Sequence, residues 1–500
     1  MDYSKLVISP ENKEEENKIL VEIYDCIKKS ESLVFDAGAG SGKTYSLIET
    51  LKYIIAEYGK NMKVHNQKIM CITYTNVAAN EIKKRLENTS LVSVGTIHEN
   101  LWGIIKIYQK QLVQIHKYNL MDEIEKMKED VKTNAKYEKY RNLSQKEQEK
   151  LIQTIYENIE EYYKNKKAEK FREVFSPILN NYGILKDDIL KNVGNFKYVI
   201  NNLIKINKYK ETVEKIDLKD VKFINIEYDV RSSNDKLEKM KISHDTLLLY
   251  SYKIIEQNDL LKQFIIDMYP FILIDEYQDT SLKVIELLAC LESYSRKINH
   301  NIFLGYFGDV KQNIYDNGVG KRLFDLCPQL KRIKKIYNRR SAPKIIEVAN
   351  KIRNDDINQK TIYSNFPKGT VSFYNMDIDK KKFIDIHVEK WNITEKNKLH
   401  CLELKNEFIV EQLGFKDIYN FFKEAPWYRW PRSELLKDHL LNSEITKIGE
   451  VQNLLFKIVD LRNKLKCRES MISEIFEKRT LKNRTLSDLK STINKLKYRR

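Results

Sequence analysis

The sequence predicts an α/β protein with a parallel β-sheet and a helical insertion, and three features of the chain support this fold class. Short apolar runs that end in polar turns and continue into helices recur in residues 33–98 and 243–352. This strand–turn–helix order is typical of parallel sheets, whose ligands bind beyond the carboxyl ends of the strands. Residues 106–241 interrupt the order. The turn at residues 37–44 has the composition of a phosphate-binding loop.

That loop reads AGAGSGKT and directly follows the apolar run at residues 33–35. Glycines allow backbone N–H groups to surround an anion, and the start of the following helix adds a partial positive charge. Lys43 can then reach the β- and γ-phosphates of a nucleotide, and the Thr44 hydroxyl can ligate Mg²⁺. The strict motif has glycine at the position of Ala37, so the match is imperfect. The candidate phosphate-binding residues are Ala37, Gly38, Ala39, Gly40, Ser41, Gly42, Lys43 and Thr44.

The other elements of the first region follow in order along the chain. A helical spacing of apolar residues in 11–31 predicts a helix before the first strand. The apolar run at residues 69–72 predicts a buried strand, which ends in TYTN at 73–76 and continues into a helix. A third strand, predicted at residues 91–94, ends in GTIH at 95–98.

Residues 106–241 are predicted to form a charged helical insertion. No glycine lies between Gly103 and Gly183, and no proline lies between Pro10 and Pro177, so the residues that usually end helices are scarce. The tyrosines of this segment have two open roles, stacking on nucleic-acid bases beside lysines or packing in a helical core, and the core is expected for most of them. They include Tyr137, Tyr140, Tyr156, Tyr162 and Tyr163.

The sheet pattern resumes at residue 243, and the apolar run at 271–274 delivers the sequence DEYQDT. In a chain with a phosphate-binding loop, one of two adjacent carboxylates can hold Mg²⁺ and the other can orient or deprotonate the attacking water. Asp275 and Glu276 are the candidates for these two roles.

Two further motifs follow this carboxylate pair. A predicted strand at residues 302–304 precedes DVKQNIY at 309–315. NRRS, at residues 338–341, precedes Pro343, which suits the first turn of a helix. An arginine at a strand end can reach a γ-phosphate and sense its loss.

Composition limits the class of protein. The 500 residues carry 88 Lys and Arg against 71 Asp and Glu, a net charge of +17 that suits a polyanion partner, although a Lys-rich composition alone also gives such a charge. The cysteines are too far apart for a CxxC metal site. No signal-peptide h-region and no apolar run of about 18 residues is present, so a cytoplasmic protein without membrane contact is expected.

Together these motifs resemble those of the UvrD/Rep family of superfamily 1 helicases. AGAGSGKT matches the family's loop, including its first alanine, and TYTN, GTIH, DEYQDT, DVKQNIY and NRRS follow in the family's order. The resemblance implies a RecA-like P-loop NTPase sheet, ATP and Mg²⁺ as cofactors, and DNA as partner. It implies ATPase roles for Lys43, Thr44, Asp275, Glu276, Gln312 and Arg340, a nucleotide contact for Arg339, and a single-stranded DNA path along Tyr74, Thr75, Thr96 and His98.

The chain departs from the family pattern at positions that contact the base of a nucleotide or of DNA. The family's glutamine before the loop, which reads adenine, is missing, and Glu16 or Asn17 is the candidate substitute. The family's tyrosine in NYRS is Arg339 here, which can stack through its guanidinium plane, and Tyr337 is the alternative. Asp316 begins a segment in which the family's base-stacking aromatic is absent.

The sequence beyond residue 368 is expected to begin a second RecA-like domain, with strands at 371–374 and 399–404. An aromatic loop follows at residues 425–431, and 433–500 is charged and helical in pattern. Nothing there resembles the family's final motifs, which supply another arginine to the γ-phosphate. The chain is therefore expected to be the front part of a longer protein, or a short member completed by a partner subunit.

These observations predict an organisation and a function. The expected division is residues 1–105 and 242–368 for the first RecA-like domain, 106–241 for a helical accessory insertion, and 369–500 for the start of the second RecA-like domain and a helical accessory region. The expected function is an ATP-dependent helicase or translocase on single-stranded or partly duplex DNA, in repair, recombination or anti-phage defence, and the resemblance implies 3′ to 5′ polarity. The alternative is a DNA-sensing ATPase switch in a complex with a nuclease or ATPase partner subunit.

Overall fold

The computed structural model describes residues 6–165, 167–180, 191–230, 234–313, 318–374, 379–395 and 397–403, with shorter pieces between 406 and 464. The chain divides into two compact units, Met1–Met376 and Asp377–Arg500. The boundary between the units lies shortly after the predicted one at residue 368.

Six strands of the described chain form one parallel sheet in the first unit. The strands, in chain order, are β1 (Leu33–Ala37), β2 (Ile69–Thr73), β3 (Val92–Thr96), β4 (Glu227–Tyr228), β5 (Lys241–Ile242), β6 (Phe271–Asp275), β7 (Phe303–Gly308), β8 (Lys331–Lys335), β9 (Tyr337–Asn338) and β10 (Lys360–Thr361). The order across the main sheet is β3-β2-β6-β7-β1-β8, while β4 pairs with β5 and β9 with β10.

Helices account for most of the rest of the described first unit. They are α1 (Pro10–Lys29), α2 (Lys43–Val64), α3 (Asn76–Arg85), α4 (Ile97–Ile105), α5 (Gln109–Thr133), α6 (Glu138–Arg141), α7 (Gln145–Glu157), α8 (Ile159–Lys164), α9 (Ala168–Ile178), α10 (Val193–Asp217), α11 (His244–Glu256), α12 (Asp259–Met268), α13 (Leu282–Lys297), α14 (Leu323–Leu326) and α15 (Pro343–Arg353). The described part of the second unit contains α16 (Lys380–Lys390) and α17 (Asn406–Gln412).

The sheet separates two hydrophobic cores because successive side chains of a strand point to opposite faces. On β1, Leu33 and Phe35 join a core that includes residues of α1, α2 and α3, while Val34 joins the other core. This second core continues without a break into the helical insertion, where Phe171 and Phe175 are buried and stacked. The insertion is thus anchored to one face of the sheet.

The insertion is helical, as its sequence predicts, and its tyrosines mostly belong to its core. Tyr137 and Tyr162 are buried, and Tyr140 and Tyr156 are partly buried against the same core, whereas Tyr163 is about half exposed. The core interpretation of these tyrosines is therefore confirmed for most of them. The small parallel sheet of β4 and β5 at the end of the insertion was not expected from the sequence.

Further differences from the sequence prediction concern an unpredicted edge strand and two predicted strands. β8, with the charged sequence KRIKK, forms the sheet edge beside β1 and was not predicted. The strands predicted at 371–374 and 399–404 are wrong where the structure describes them, because residues 371–374 and 399–403 lie in no strand. Their apolar side chains have no sheet to pack on: Phe373 is 90% exposed and Leu402 is 99% exposed.

Several predictions fall outside the described residues. These are the end of the DVKQNIY motif and the Asp316 segment, at 314–317, the aromatic loop at 425–431, and almost all of 433–500. The assignment of residues 369–500 to a second RecA-like domain therefore stays a prediction. None of the helices in the described part of the chain combines the length and apolar character that a membrane span requires.

Candidate nucleotide and DNA site

The predicted site residues lie along one edge of the sheet because all six strands are parallel. The register places Asp36 of β1 beside Gly308 of β7, and Asp275 of β6 beside Phe307 of β7. The phosphate loop, the carboxylate pair and residues 309–312 therefore leave the sheet at the same carboxyl edge. The structure thus brings together residues that are more than 200 positions apart in the sequence.

The phosphate loop connects β1 to α2 in a conformation that depends on its glycines. Gly40 and Gly42 have φ angles of +78° and +83°, in the left-handed region that residues with a Cβ rarely adopt. The hydroxyl of Ser41 donates to the carbonyl of Gly38 at 2.6 Å, which closes the turn. α2 begins at Lys43, so its N-terminus and unpaired N–H groups face the loop. This arrangement suits a bound phosphate.

The carboxylate pair lies next to the loop lysine. Lys43 Nζ donates to Glu276 Oε2 at 2.7 Å, so the lysine is neutralised by the acid that was predicted to handle water. Glu276 has a φ of +51°, a left-handed conformation that turns its side chain back toward the loop. A non-glycine residue held in this region at a site is a common sign of functional strain.

Asp275 is the residue that best fits a metal ion. Its side chain is buried and its Oδ1 atom has no hydrogen-bond partner in the structure. Burial, and secondly the charge of Glu276, raise the pKa of Asp275 to about 6. A buried carboxylate with an unpartnered oxygen beside a phosphate loop suits Mg²⁺ as a ligand, and Thr44 lies in the first turn of α2. Among the described residues, no group of three metal-binding side chains exists, so water and phosphate oxygens would complete the coordination.

A chain of hydrogen bonds leads from Glu276 to Gln312. The Gln278 side-chain amide donates to Glu276 Oε2 at 2.8 Å, and its carbonyl oxygen accepts from the backbone N–H of Asp309 at 3.0 Å. The Asp309 carboxylate in turn accepts from the Gln312 amide at 2.6 Å. Gln278 and Asp309 are buried, so a buried hydrogen bond connects the loops that follow β6 and β7.

The NRRS segment is hydrogen-bonded to the phosphate loop. The Asn338 side chain donates to the Ala39 carbonyl at 2.7 Å, and the Arg339 backbone N–H donates to the Gly40 carbonyl at 3.0 Å. Arg340 lies directly against Gly40, since a Cβ on that glycine would come within 3.1 Å of the Arg340 Cβ. The predicted γ-phosphate arginine is therefore adjacent to the loop.

The two candidates for adenine stacking differ in their availability. Tyr337 is buried and its hydroxyl donates to Glu15, so its ring is covered and the stacking role is excluded. Arg339 remains near the loop, but its guanidinium donates to Glu16, which also pairs with buried Lys335 at 3.1 Å.

Glu16 therefore has a clear structural role. Burial alone would raise the pKa of the Glu16 carboxyl, but hydrogen bonds and charge from Arg339 and Lys335 outweigh burial and hold this pKa below its usual value. Glu16 is thus an anion paired with two cations. Asn17, the other candidate for reading the base, is exposed.

The predicted DNA residues lie at the other end of the same edge. Thr73 of β2 is in register with Thr96 of β3, which brings the TYTN and GTIH turns together. The side chain of Tyr74 is 48% exposed. Thr75, by contrast, caps α3 by accepting from the Ala78 N–H at 3.2 Å.

Residues of the GTIH turn also cap a helix and pack against a neighbouring ring. Thr96 caps α4 in a reciprocal hydrogen-bond pair with Glu99. The His98 ring packs on the His244 ring, with centroids 4.6 Å apart, and burial lowers the pKa of His98 to about 4. His98 is therefore neutral at physiological pH and acts as a polar or stacking group rather than as a cation.

Comparison with known proteins agrees with this geometry. A model of the UvrD/REP helicase N-terminal domain matches residues 17–317, which include the phosphate loop and the carboxylate pair. The chain belongs to the UvrD/Rep helicase family. The family assignment expected from the motifs is confirmed, and the parallel sheet agrees with its RecA-like core.

Individual relatives extend the family assignment. The chain is 47% identical over 484 residues to the Gabija protein GajB of Bacillus cereus (strain HuB5-5), covering 96% of this chain and 70% of GajB. It is 25% identical over 340 residues to the ATP-dependent DNA helicase Rep of Buchnera aphidicola subsp. Schizaphis graminum, covering 67% of this chain and 44% of Rep. A probable DNA helicase II homolog of Mycoplasma capricolum is 24% identical over 413 residues, covering 80% and 48%. The chain thus spans less than half the length of these two helicases.

Within this UvrD/Rep helicase, the structure adds residues that the motifs did not reveal. Gln278 lies inside DEYQDT but received no role of its own, although its position between two strand ends is now clear. The exposed Tyr45 follows Thr44 directly and has Lys335 Nζ 5.6 Å from its ring centroid. Gln359 packs over Gly38 and donates to the Ala39 carbonyl at 3.2 Å. Gln278, inside the motif, and Tyr45, an aromatic residue next to the loop, could have been found from the sequence, whereas Gln359 lies in no motif.

Proposed function

We propose that this UvrD/Rep helicase hydrolyses Mg-ATP at the carboxyl edge of its sheet and moves 3′ to 5′ along single-stranded or partly duplex DNA. The observation that carries the proposal is the contact between Lys43 and Glu276 at 2.7 Å, next to the unpartnered oxygen of Asp275. A cation, a water-handling carboxylate and a candidate metal ligand thus meet at the opening of the phosphate loop.

Hydrolysis requires a change in the partners of these residues. When phosphates enter the loop, Lys43 exchanges Glu276 for the β- and γ-phosphate oxygens, and Glu276 becomes free to orient the attacking water. Gln278 keeps hold of Glu276 during this exchange through its amide. Thr44 and Asp275 would hold Mg²⁺, which supplies charge neutralisation at the phosphates when it is bound.

The remaining residues of the site would contact the γ-phosphate and the base of the nucleotide. Arg340 next to Gly40, together with Gln312, would contact the γ-phosphate and respond to its loss. The base would lie between the exposed ring of Tyr45 and the guanidinium of Arg339, near the carboxylate of Glu16. Movement of DNA would follow from closure of the site around ATP.

The first test is the variant Lys43→Ala in the full-length chain. Loss of the loop cation should lower DNA-stimulated ATP hydrolysis about 100-fold or more, because charge stabilisation of the phosphates is lost. Binding of single-stranded DNA, measured by fluorescence anisotropy, should change by less than about threefold, since Tyr74 and the GTIH turn lie elsewhere on the edge. The matched control is Lys52→Ala, which removes an exposed lysine from the same helix. Hydrolysis that survives Lys43→Ala would refute the proposal.

The biological setting proposed is anti-phage defence in the cytoplasm rather than DNA repair or recombination. It is supported by the 47% identity to the Gabija protein GajB, an alignment that covers 70% of that protein. The family's base-stacking aromatic, missing from the segment that begins at Asp316, favours a second candidate function, a DNA-sensing ATPase switch that works with a nuclease or ATPase partner subunit and does not unwind DNA processively.

Strand separation distinguishes the two candidates. A duplex with a 3′ single-stranded tail would be offered to the full-length protein, and unwinding and ATP turnover would be measured in the same reaction. A helicase releases the displaced strand in proportion to ATP consumed, whereas a switch hydrolyses ATP on DNA without release. A matched duplex with a 5′ tail tests the proposed polarity.

A further inference from the structure

Arg353 forms a buried contact that no sequence motif contains. It is the last residue of α15, and its side chain is 9% exposed. The guanidinium donates through Nη2 and Nε to the two carboxylate oxygens of Asp355, at 2.8 and 3.2 Å, which fixes the plane of the group. The remaining arm, Nη1, donates to Asp309 Oδ2 at 2.7 Å. The geometry is the fork that arginine forms and lysine does not.

The Asp309 oxygen that Arg353 holds is the same oxygen that holds Gln312. Asp309 Oδ2 accepts from the Gln312 amide at 2.6 Å and from Arg353 at 2.7 Å. Asp309 itself is fully buried, so these two donors, together with the Lys311 backbone N–H that donates to Oδ1 at 3.1 Å, decide how its carboxylate is oriented. If the guanidinium moves, the carboxylate can rotate, and the Gln312 amide loses its fixed acceptor.

The helix that ends at Arg353 begins next to the phosphate loop. α15 starts at Pro343, shortly after Arg340, which lies against Gly40. The segment just before this helix thus lies against the phosphate loop, and the last residue of the helix contacts Asp309, which follows β7. A rigid helix transmits a displacement at one end to the other, which connects the two candidate γ-phosphate contacts.

We propose that Arg353 is a positioning residue that orients Gln312 through Asp309 and couples this amide, along α15, to Arg340. The proposal rests on the proposed function, since Gln312 and Arg340 matter here as groups that contact ATP. Arg353 does not itself touch the nucleotide in this scheme. Its removal should therefore affect the chemical step more than nucleotide affinity.

The test measures kcat and KM of DNA-stimulated ATP hydrolysis for the full-length wild type, Gln312→Ala, Arg353→Lys and the double variant. Arg353→Lys keeps the charge and loses the fork, and it should lower kcat about tenfold while KM for ATP changes less than about twofold. Because Arg353 acts through Gln312, the double variant should have the kcat of Gln312→Ala within about twofold.

A merely structural arginine would behave differently, and Arg332 provides the control. Arg332 also pairs with two carboxylates, those of Asp36 and Asp356, but not with Asp309. The effect of Arg332→Lys should multiply with that of Gln312→Ala. Multiplicative behaviour of Arg353→Lys, or a Gln312→Ala variant with wild-type kcat, would overturn the proposal.

A second variant covers the case in which Arg353→Lys does not fold, as judged by circular dichroism. Asp355→Asn loosens the guanidinium but leaves Asp309 paired, and it should lower kcat about threefold in the wild-type background and have no effect in Gln312→Ala. An equal effect in both backgrounds would overturn the proposal. Failure of the proposed function is recognised separately, because Lys43→Ala would then hydrolyse ATP like the wild type.

Discussion

Asp275 carries a charge that folding alone does not favour. Its carboxylate is buried beside Glu276, and one oxygen has no hydrogen-bond partner. The pKa of about 6 lies above the ordinary value of an aspartate. The folded protein therefore binds the proton of this carboxyl more tightly than the unfolded chain does, and ionisation above pH 6 lowers the free energy of unfolding. This is the expected state of a ligand residue whose partner cation arrives with the nucleotide.

The variant Asp275→Asn should stabilise the protein without nucleotide and abolish its response to Mg-ATP. A group whose folded pKa is raised gives stability at low pH and loses it as the pH rises through about 6, so removing the charge should raise the free energy of unfolding at pH 7.5 by on the order of 2 kcal/mol. Thermal melting with and without Mg-ATP measures both effects. At pH 5, between the unfolded and folded pKa values, the stabilisation should fall to about half, and it should disappear below about pH 3.8.

Asp356→Asn is the control, and its effect on thermal stability should be opposite to that of Asp275→Asn. Hydrogen bonding from Lys334, and the charges around it, hold the pKa of Asp356 below its usual value, so the ionised form is favoured in the folded state. Its replacement should lower the melting temperature at pH 7.5. If Asp275→Asn also lowers the melting temperature, the carboxylate is not held uncompensated as the structure indicates.

Single residues differ in how well the sequence predicts them. Lys43, Asp275 and Glu276 follow apolar runs in recognisable motifs, so their position at the strand ends could be predicted from local sequence alone. Lys335 and Arg353 could not, because their partners, Glu16 and Asp309, are distant in the chain and are met only after the fold forms. A lysine in a basic run gives no sign that it is buried.

At the scale of elements, the buried strands were predictable and the edge strand was not. β2, β6 and β7 are apolar on both faces, as strands of a covered parallel sheet must be. β8 alternates instead between exposed residues and the buried Ile333 and Lys335. Its charges are satisfied by neighbouring elements, for example by Asp36 for Arg332, so a charged sequence can form a strand here.

A buried histidine lies at the contact between α5 of the insertion and α11 of the sheet-forming region. His116 of α5 contacts the Tyr250 hydroxyl of α11 through Nδ1 at 2.8 Å and the Leu237 carbonyl through Nε2 at 3.0 Å. Burial lowers the pKa of His116 to about 4, opposed by the Leu237 carbonyl and by Asp235. The neutral imidazole thus stabilises the contact between α5 and α11.

Stability should therefore fall as the pH falls from 6.5 toward 4. The unfolded histidine takes up a proton near pH 6.5 and the folded one does not, so His116 should account for a loss of about 2 kcal/mol at pH 5 relative to pH 7.5. The variant His116→Gln keeps an amide at this position and should show a correspondingly smaller loss in urea titrations at the two pH values. An equal loss of stability in the wild type and in His116→Gln would contradict this role of His116.

At the scale of the first unit, the sheet order separates the proposed sites. β1, β6 and β7 carry the nucleotide residues, while β3 and β2 at the sheet edge carry the DNA residues, and β6 lies next to β2. The two sites thus share an edge but no residue. The strand order itself was not predictable from the motifs, since the insertion separates β3 from β6 in sequence by more than 170 positions.

Tyr74→Ala should uncouple DNA binding from basal hydrolysis. Stacking of a base on an exposed aromatic ring contributes about 1–3 kcal/mol, so the DNA concentration for half-maximal ATPase stimulation should rise about tenfold. ATP hydrolysis without DNA should stay within about twofold of the wild type, because Lys43 and Asp275 are left unchanged. Both quantities come from one titration of single-stranded DNA into the ATPase assay.

The salt dependence of binding separates stacking from charge at this position. Loss of an aromatic ring should weaken DNA binding by the same factor at every salt concentration, because tyrosine releases no counterions, whereas loss of a lysine contact reduces the slope of log affinity against log salt. Tyr118→Ala, which removes a similarly exposed tyrosine from α5, is the control and should bind DNA like the wild type. Equal losses in both tyrosine variants would place the DNA path across the insertion instead of along β2 and β3.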